Sequence, residues 1–532
     1  MVALAALLLT GACGPGEPSR WNVHPEVRRP QPGIIIFLVD GLPPRYVEQG
    51  CREGWLPNIE RYFNARGTHV RYAATCVPSI TYGAITTLIT GTDPAAHGIL
   101  GNRWFDPEKA WFRDYALIKT YTAVNDDFDE PTIYERIMPA PSAIVQTAHR
   151  RGATQIIANW AVSGALWFLR DYTAVDKLTV SSMHRVTGWA NRHHEWPTLV
   201  TLYFPGLDTI GHIHGPSSER FRAALEHADF QIGRACDWLG RQSLLDNMYL
   251  VLISDHGLAN VHPDGHIDLT RHVRRNWDRN ATSRMVQDGT LASRRRYYDR
   301  YDTVVNDQDG RRASLHFRST TGWDQPPTPA EVEAVLTAPA EEHQLWNIPG
   351  VHLVAYLTGP NEAVVINRRG IARIRTAGGE TESTYSYKPL TGDPLGYLDD
   401  AELAAFIEKG LHTSRAWLNA TADREFPDIV PHLVPLLRTR RAGQVVLFCE
   451  PGYSFVPERG GHGGVHRDDQ LMTLYVSGPG VQPGGVIDTA RATDVVPTLL
   501  DLLNRPADDP RLTGTSLVKL GLLNREPKPV AP

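Results

Sequence analysis

The chain has 532 residues, 42% of them hydrophobic, and a formal net charge of −5. That length and apolar content can bury a large core, as one major domain with a sizeable insertion or as two domains. With no basic bias, a nucleic-acid polymer is not expected as the main partner; a small anionic substrate stays open, because a local metal site outweighs the global charge.

Val2 to Ala12 is an apolar run ending in Thr10-Gly11-Ala12-Cys13, which reads as a lipoprotein signal with Cys13 as the lipidated residue. No Lys or Arg precedes it, a departure from the usual basic start. The run is too short to span a bilayer as a helix. An exported protein follows, periplasmic or on the outer surface and lipid-anchored to the membrane, with the Pro- and Gly-rich residues 14–32 as a tether. Cys51, Cys76, Cys236 and Cys449 are compatible with two disulfides in an oxidising compartment, with a buried free thiol as the alternative at Cys449.

Gly33 to Val39 is an unbroken apolar, β-branched run, the mark of a strand buried on both faces of a parallel sheet. Asp40-Gly41 follow at once, on the edge where open α/β sheets place ligands. Cys76 to Gly91 puts hydroxyls into a loop that opens a short apolar helix. Thr81 stands at its start, where free N–H groups and the helix dipole stabilise an anion; a plain Ser/Thr cap is the bland alternative. Beyond it come a turn-rich loop with His97 and Asn102 and an aromatic segment, Trp104 to Tyr121, which either lines a pocket or packs the loop. Ala143 to Arg151 reads as a helix and Thr154 to Ile157 as a strand.

Thr198 to Phe204 is a second buried strand, followed by Asp208 and His212. Their spacing of one helical turn lets both face a single ion, whereas His214 points elsewhere and reads as packing. Ser217 to Leu239 has the spacing of an amphipathic helix. Met248 to Ser254 is a third buried strand and ends in Asp255-His256. From 262 to 441 the βα alternation is lost, so an inserted subdomain is expected between a core first part, 33–261, and a second, 442–532. Val351 to Leu357 and Ala363 to Ile366 are strands within the insertion, and the main sheet is expected to resume with Gly443 to Cys449. Gly460-Gly461-His462-Gly463-Gly464 then places His462 in backbone that a fixed external partner would hold. Leu471 to Val476 is a further strand and Thr493 to Leu503 a closing helix.

Collected, Asp40, Asp208, His212, Asp255, His256 and His462 each lie beside a strand end or glycine turn. Two ions fit them: one on Asp208, His212 and His462, the other on Asp40, Asp255 and His256 with the Thr81 oxygen. Mixed His and carboxylate ligands favour zinc, with manganese or iron as alternatives.

The motifs Val-Asp40-Gly, Pro-Ser-Ile-Thr81-Tyr, Leu-Ile-Thr-Gly91 through His97-Gly-Ile, Gly-Asn102-Arg-Trp-Phe-Asp-Pro107, Asp208-x3-His212-x2-Gly-Pro216, Ser-Asp255-His256-Gly and Gly-His462-Gly run in this order. Together they resemble the type I phosphodiesterase/nucleotide pyrophosphatase family of the alkaline phosphatase superfamily. The resemblance implies an α/β fold with a central mostly parallel sheet flanked by helices and an inserted capping subdomain. It also implies a two-zinc hydrolase of phosphodiester or pyrophosphate bonds, acting through a phospho-threonine on Thr81, with Asn102 binding a phosphoryl oxygen. Gly83-Ala84 stand where family members often carry Pro-Asn, a departure in loop shape or pocket polarity. A phosphomonoesterase or phosphonate hydrolase is the serious rival. A sulfatase fails at Ile80, where its motif needs Arg, and a non-catalytic zinc-binding lipoprotein would need neither Thr81 nor Asn102.

Overall fold

The structure, a computed structural model, describes residues 21–117, 120–157, 173–378 and 383–519. The expected lipidation signal, with Cys13 and the first part of the tether, lies outside the described residues. Among those described, no helix is long and apolar enough to cross a membrane.

The apolar runs assemble into a nine-stranded sheet. Gly33–Val39 lies inside it, parallel to Leu199–Phe204 on one side and to Met248–Ile253 on the other. Ser142–Val145 and Gln155–Ile157 extend the parallel order, and on the far flank Leu474–Ser477 pairs antiparallel with Met248–Ile253. Ile35, Phe37 and Val39 face one apolar core, and Ile34, Ile36 and Leu38 face another. A strand covered on both sides has no polar alternation, which is why it reads as an unbroken run. Helix Glu219–Arg241 covers the first face with Phe221, Leu225 and Ile232. Parallel pairing then brings Asp40, Pro205 and Ser254 to one edge, at the C-terminal ends of three neighbouring strands.

Two segments differ from the expectation. The stretch read as a helix, Ala143 to Arg151, opens instead with the strand Ser142–Val145; its apolar run is too short for periodicity to separate the two. Gly443 to Cys449 does not rejoin the main sheet. Val445–Cys449 lies in a second, largely antiparallel sheet, between Arg312–Phe317 and Val351–Gly359. That sheet therefore draws strands from both sides of the expected boundary at 441. Cys51, Cys76, Cys236 and Cys449 are all free, which corrects the two expected disulfides and agrees with the buried thiol read at Cys449.

A buried ion pair ties the segment before Val445 to the main sheet. Arg491, closing the strand Gly485–Arg491, donates from Nη2 to Asp428 Oδ1 at 2.6 Å and from Nε to Oδ2 at 2.5 Å. Burial alone would raise the Asp428 carboxyl, but the Arg491 charge and hydrogen bonds, with His432, hold it down to about 2. Asp428→Ala takes the bidentate carboxylate partner from the buried Arg491, and urea unfolding should show a loss of about 3–5 kcal/mol. Because the folded pKa lies below the unfolded value of about 3.9, this contribution is complete above that pH and is lost as pH falls toward about 2.

Candidate active site

Thr81 is the first residue of helix Thr81–Thr90, and Ile80 before it is extended and offers no side-chain cap. The helix is rich in Thr, a poor helix former, yet each buried hydroxyl is satisfied. Thr86, Thr87 and Thr90 donate to the carbonyls four residues back, at 2.7, 3.1 and 2.7 Å. The Tyr82 N–H is capped from outside by Asn102 Oδ1 at 3.1 Å. That leaves the Asn102 Nδ2 group as a donor on the wall of the cleft described below.

Thr81 Oγ1 lies 3.1 Å from His256 Nε2. The same nitrogen is 3.4 Å from Asp40 Oδ1 and 3.3 Å from Asp255 Oδ2. Since His256 Nδ1 donates to the Gly257 carbonyl at 2.8 Å, Nε2 turns a lone pair toward these oxygens. Gly41, at φ +64°, makes the approach possible: a Cβ there would stand 2.9 Å from Asp208 Oδ1. Asp208 Oδ2 is 3.2 Å from His212 Nε2, and Asp208 Oδ1 is 3.7 Å from His462 Nε2. His462 Nδ1 donates to the Ser79 carbonyl at 2.9 Å. The His256 and His462 rings stack 3.6 Å apart and join the two groups. All the residues singled out from the sequence as ligands, with Thr81, thus meet at one sheet edge.

Asp40 Oδ1, Asp208 Oδ1 and Asp255 Oδ2 are buried and make no hydrogen bond. Such oxygens facing imidazole lone pairs are costly unless a cation joins them. Asp40, Asp255 and His256 offer donor atoms within 4.8 Å of one another, as do Asp208, His256 and His462, so the residues fit metal ions. Burial, then the Asp255 and Asp208 charges, push the Asp40 carboxyl well up. Burial and Asp208 raise Asp255 to about 7. Burial opposes the charged form of His212 as well, but the Asp208 and Glu458 carboxylates outweigh it and raise that group. His256, by contrast, is driven down to about 3 by burial.

Several supporting residues carry no local motif. Glu458 Oε2 and the Gly460 carbonyl each accept at 2.8 Å from His212 Nδ1, turning Nε2 toward Asp208. Tyr203 O–H donates to Asp40 Oδ2. Ser79 is occupied: its hydroxyl donates to the Gly464 carbonyl at 2.9 Å and accepts from Gly463 N–H at 3.1 Å. His214 does not pack inside but sits at the surface, 3.2 Å from Arg220 Nη1. The aromatics pack the loop: Trp104 and Tyr115 join a main-sheet core, and Phe105 and Phe112 cluster with Tyr298. A cleft of about 750 Å³ opens over His212 and His462, walled by Asn102, Arg103, Gln308, Asp309 and Glu458.

The chain is similar to several known proteins. An uncharacterized pyrophosphatase/phosphodiesterase of Schizosaccharomyces pombe is 25% identical over 235 residues, 43% of this chain and 45% of that protein. The venom phosphodiesterase of Macrovipera lebetinus is 27% identical over 238 residues, 43% of this chain and 26% of its own. Ectonucleotide pyrophosphatase/phosphodiesterase family member 1 of Mus musculus is 27% identical over 233 residues, 43% and 24% of the two chains. Each alignment spans less than half of the relative's own length. The solved murine ectonucleotide pyrophosphatase / phosphodiesterase 5 superposes with a TM-score of 0.57 at 15% identity, covering 92% of this chain and 100% of its own. An inactive threonine-to-alanine variant of that protein, in complex with AMP, gives 0.56, again at 15% identity, covering 93% and 100% of the two chains. These superpositions show the alkaline-phosphatase-like α/β fold. The family profile for type I phosphodiesterase / nucleotide pyrophosphatase matches residues 34–359, more than half the chain and most of the motif series, and it is to this family that the chain belongs.

Proposed function

We propose that this protein hydrolyses phosphodiester or pyrophosphate bonds by in-line attack of Thr81 on phosphorus. The observation that carries the reading is the Thr81 hydroxyl at the first residue of a helix, 3.1 Å from His256 Nε2, the nitrogen that also faces the buried, unpaired oxygens of Asp40 and Asp255. Asp40, Asp255 and His256, with Thr81, would hold one divalent cation, and Asp208, His212 and His462 a second; zinc suits this donor set. Bound there, the cations supply positive charge that favours the alkoxide and the departing oxygen. The Thr81 oxygen forms the new bond to phosphorus as the leaving oxygen departs on the opposite side. Water then attacks the phospho-threonine, and the Thr81 oxygen is released and reprotonated. Asn102 donates from Nδ2 to a non-bridging oxygen, its Oδ1 being held by Tyr82.

Two divalent charges against Asp40, Asp208 and Asp255 leave one net positive charge, which matches a singly charged diester. A monoester dianion would want a further cation. Arg103 on the cleft wall is already engaged, 3.3 Å from Asp114 and donating to the Gln308 carbonyl at 2.8 Å. The AMP held by the murine neighbour supports a nucleotide as part of the substrate, and a cleft of about 750 Å³ has room for one. Rates on bis- and mono-p-nitrophenyl phosphate test the reading, with kcat/KM for the diester expected to be about 100-fold higher. A preference for the monoester would move the protein to the monoesterase branch. Attachment through a lipid on Cys13 belongs to the same proposal.

A further inference from the structure

The turn joining Thr303–Asp309 to Arg312–Phe317 belongs to the second sheet, yet it reaches the site at the edge of the first. Asp309 is buried, and its Oδ1 accepts from both Asn102 N–H and Arg103 N–H at 3.2 Å. Its neighbours grip the same short segment. Asn306 Nδ2 donates to the Arg103 carbonyl at 2.9 Å, and the Gln308 carbonyl accepts from Arg103 Nη1 at 2.8 Å. Asp309 Oδ2 makes no hydrogen bond and lies over Gly101, where an added Cβ would meet it at 2.0 Å. Only glycine at 101 lets the carboxylate close onto the two N–H groups.

The far side of the turn holds the opposite wall. Arg311 N–H donates to the His462 carbonyl at 2.8 Å, and Arg311 Nε lies 3.0 Å from Asp469, both side chains fully buried. Asn102 and His462 are thus set by Asp309 and Arg311, the two residues that flank Gly310 in one turn, although they come from distant parts of the chain.

On this geometry, and resting on the catalytic reading above, we propose that Asp309 is a positioning residue that fixes the Asn102 amide for the phosphoryl oxygen. It touches no substrate atom. It fixes the backbone at Asn102 from one side while Tyr82 N–H fixes the side-chain oxygen from the other. The insertion then supplies part of the phosphate-binding wall as well as a cover.

A double-mutant cycle between Asp309 and Asn102, read in kcat on bis-p-nitrophenyl phosphate, tests this. Asp309→Ala should lower kcat about 10- to 100-fold with metal content unchanged, and Asp309→Asn, which keeps an acceptor oxygen, should stay within about threefold of the parent. In an Asn102→Ala background, Asp309→Ala should cost less than about threefold more, because the group it serves is already gone. Gly101→Ala, which displaces the carboxylate from the other side, should reproduce the loss and the same non-additivity, and it serves if Asp309→Ala does not fold. Losses that multiply in the double variant, or an Asp309→Ala enzyme within twofold of the parent, overturn the inference. Thr81→Ala run alongside separates the two claims. If it is inactive while the cycle is additive, only the role of Asp309 falls; if it is fully active, the catalytic reading falls whatever the cycle shows.

Discussion

Thr81→Ala is expected to lower kcat by about 1000-fold or more while bound metal stays at the parent level. The hydroxyl is the only part of the site the substitution removes, since Asp40, Asp208, His212, Asp255, His256 and His462 are supplied by other elements. The helix should survive, because Ala is a better helix former than Thr and Thr81 Oγ1 caps no backbone group. Steady-state rates with metal analysis of the same preparation decide it. Ser79 offers no ready substitute, as its hydroxyl bridges Gly463 and Gly464. Full turnover in the alanine variant would remove the covalent scheme.

Exhaustive chelation should abolish activity and lower the midpoint of thermal unfolding, and added zinc should restore both. Without cations, Asp40, Asp208 and Asp255 are packed with their oxygens unpaired and their charges opposed. Ions bound to the folded form alone, at a thousandfold over their dissociation constant, add about 4 kcal/mol each. The melting shift is the independent readout, because it registers binding whether or not the assay substrate is the natural one. A chelated, metal-free protein that keeps its rate and its melting point would end the two-ion reading.

The features legible beforehand were those written locally. Buried strands such as Gly33–Val39 announce themselves through composition, and a ligand just past a strand end is carried to the sheet edge by the pairing. Asp208 and His212 stand one helical turn apart, so their convergence follows from pitch. What stayed hidden depends on contacts between distant segments. Glu458 lies 246 positions from His212, and Asp309 lies 207 from Asn102. A single acidic residue in a charged, turn-rich stretch carries no sign of the imidazole or amide it serves. Val445–Cys449 was recognisable as a strand, but its partners, Arg312–Phe317 and Val351–Gly359, are set by tertiary packing. Had the shared buried position of Asp309 and Arg311 in one turn been visible, the wall they build could have been anticipated.

The placement of Val445–Cys449 between two strands made much earlier bears on biosynthesis. Without that stretch, the edges of Arg312–Phe317 and Val351–Gly359 that it joins would each be left with unpaired backbone groups. Both come before it in the sequence, and His462 comes after it. Truncation upstream of residue 445 should therefore yield an aggregation-prone fragment, lacking His462 as well, rather than a smaller working enzyme.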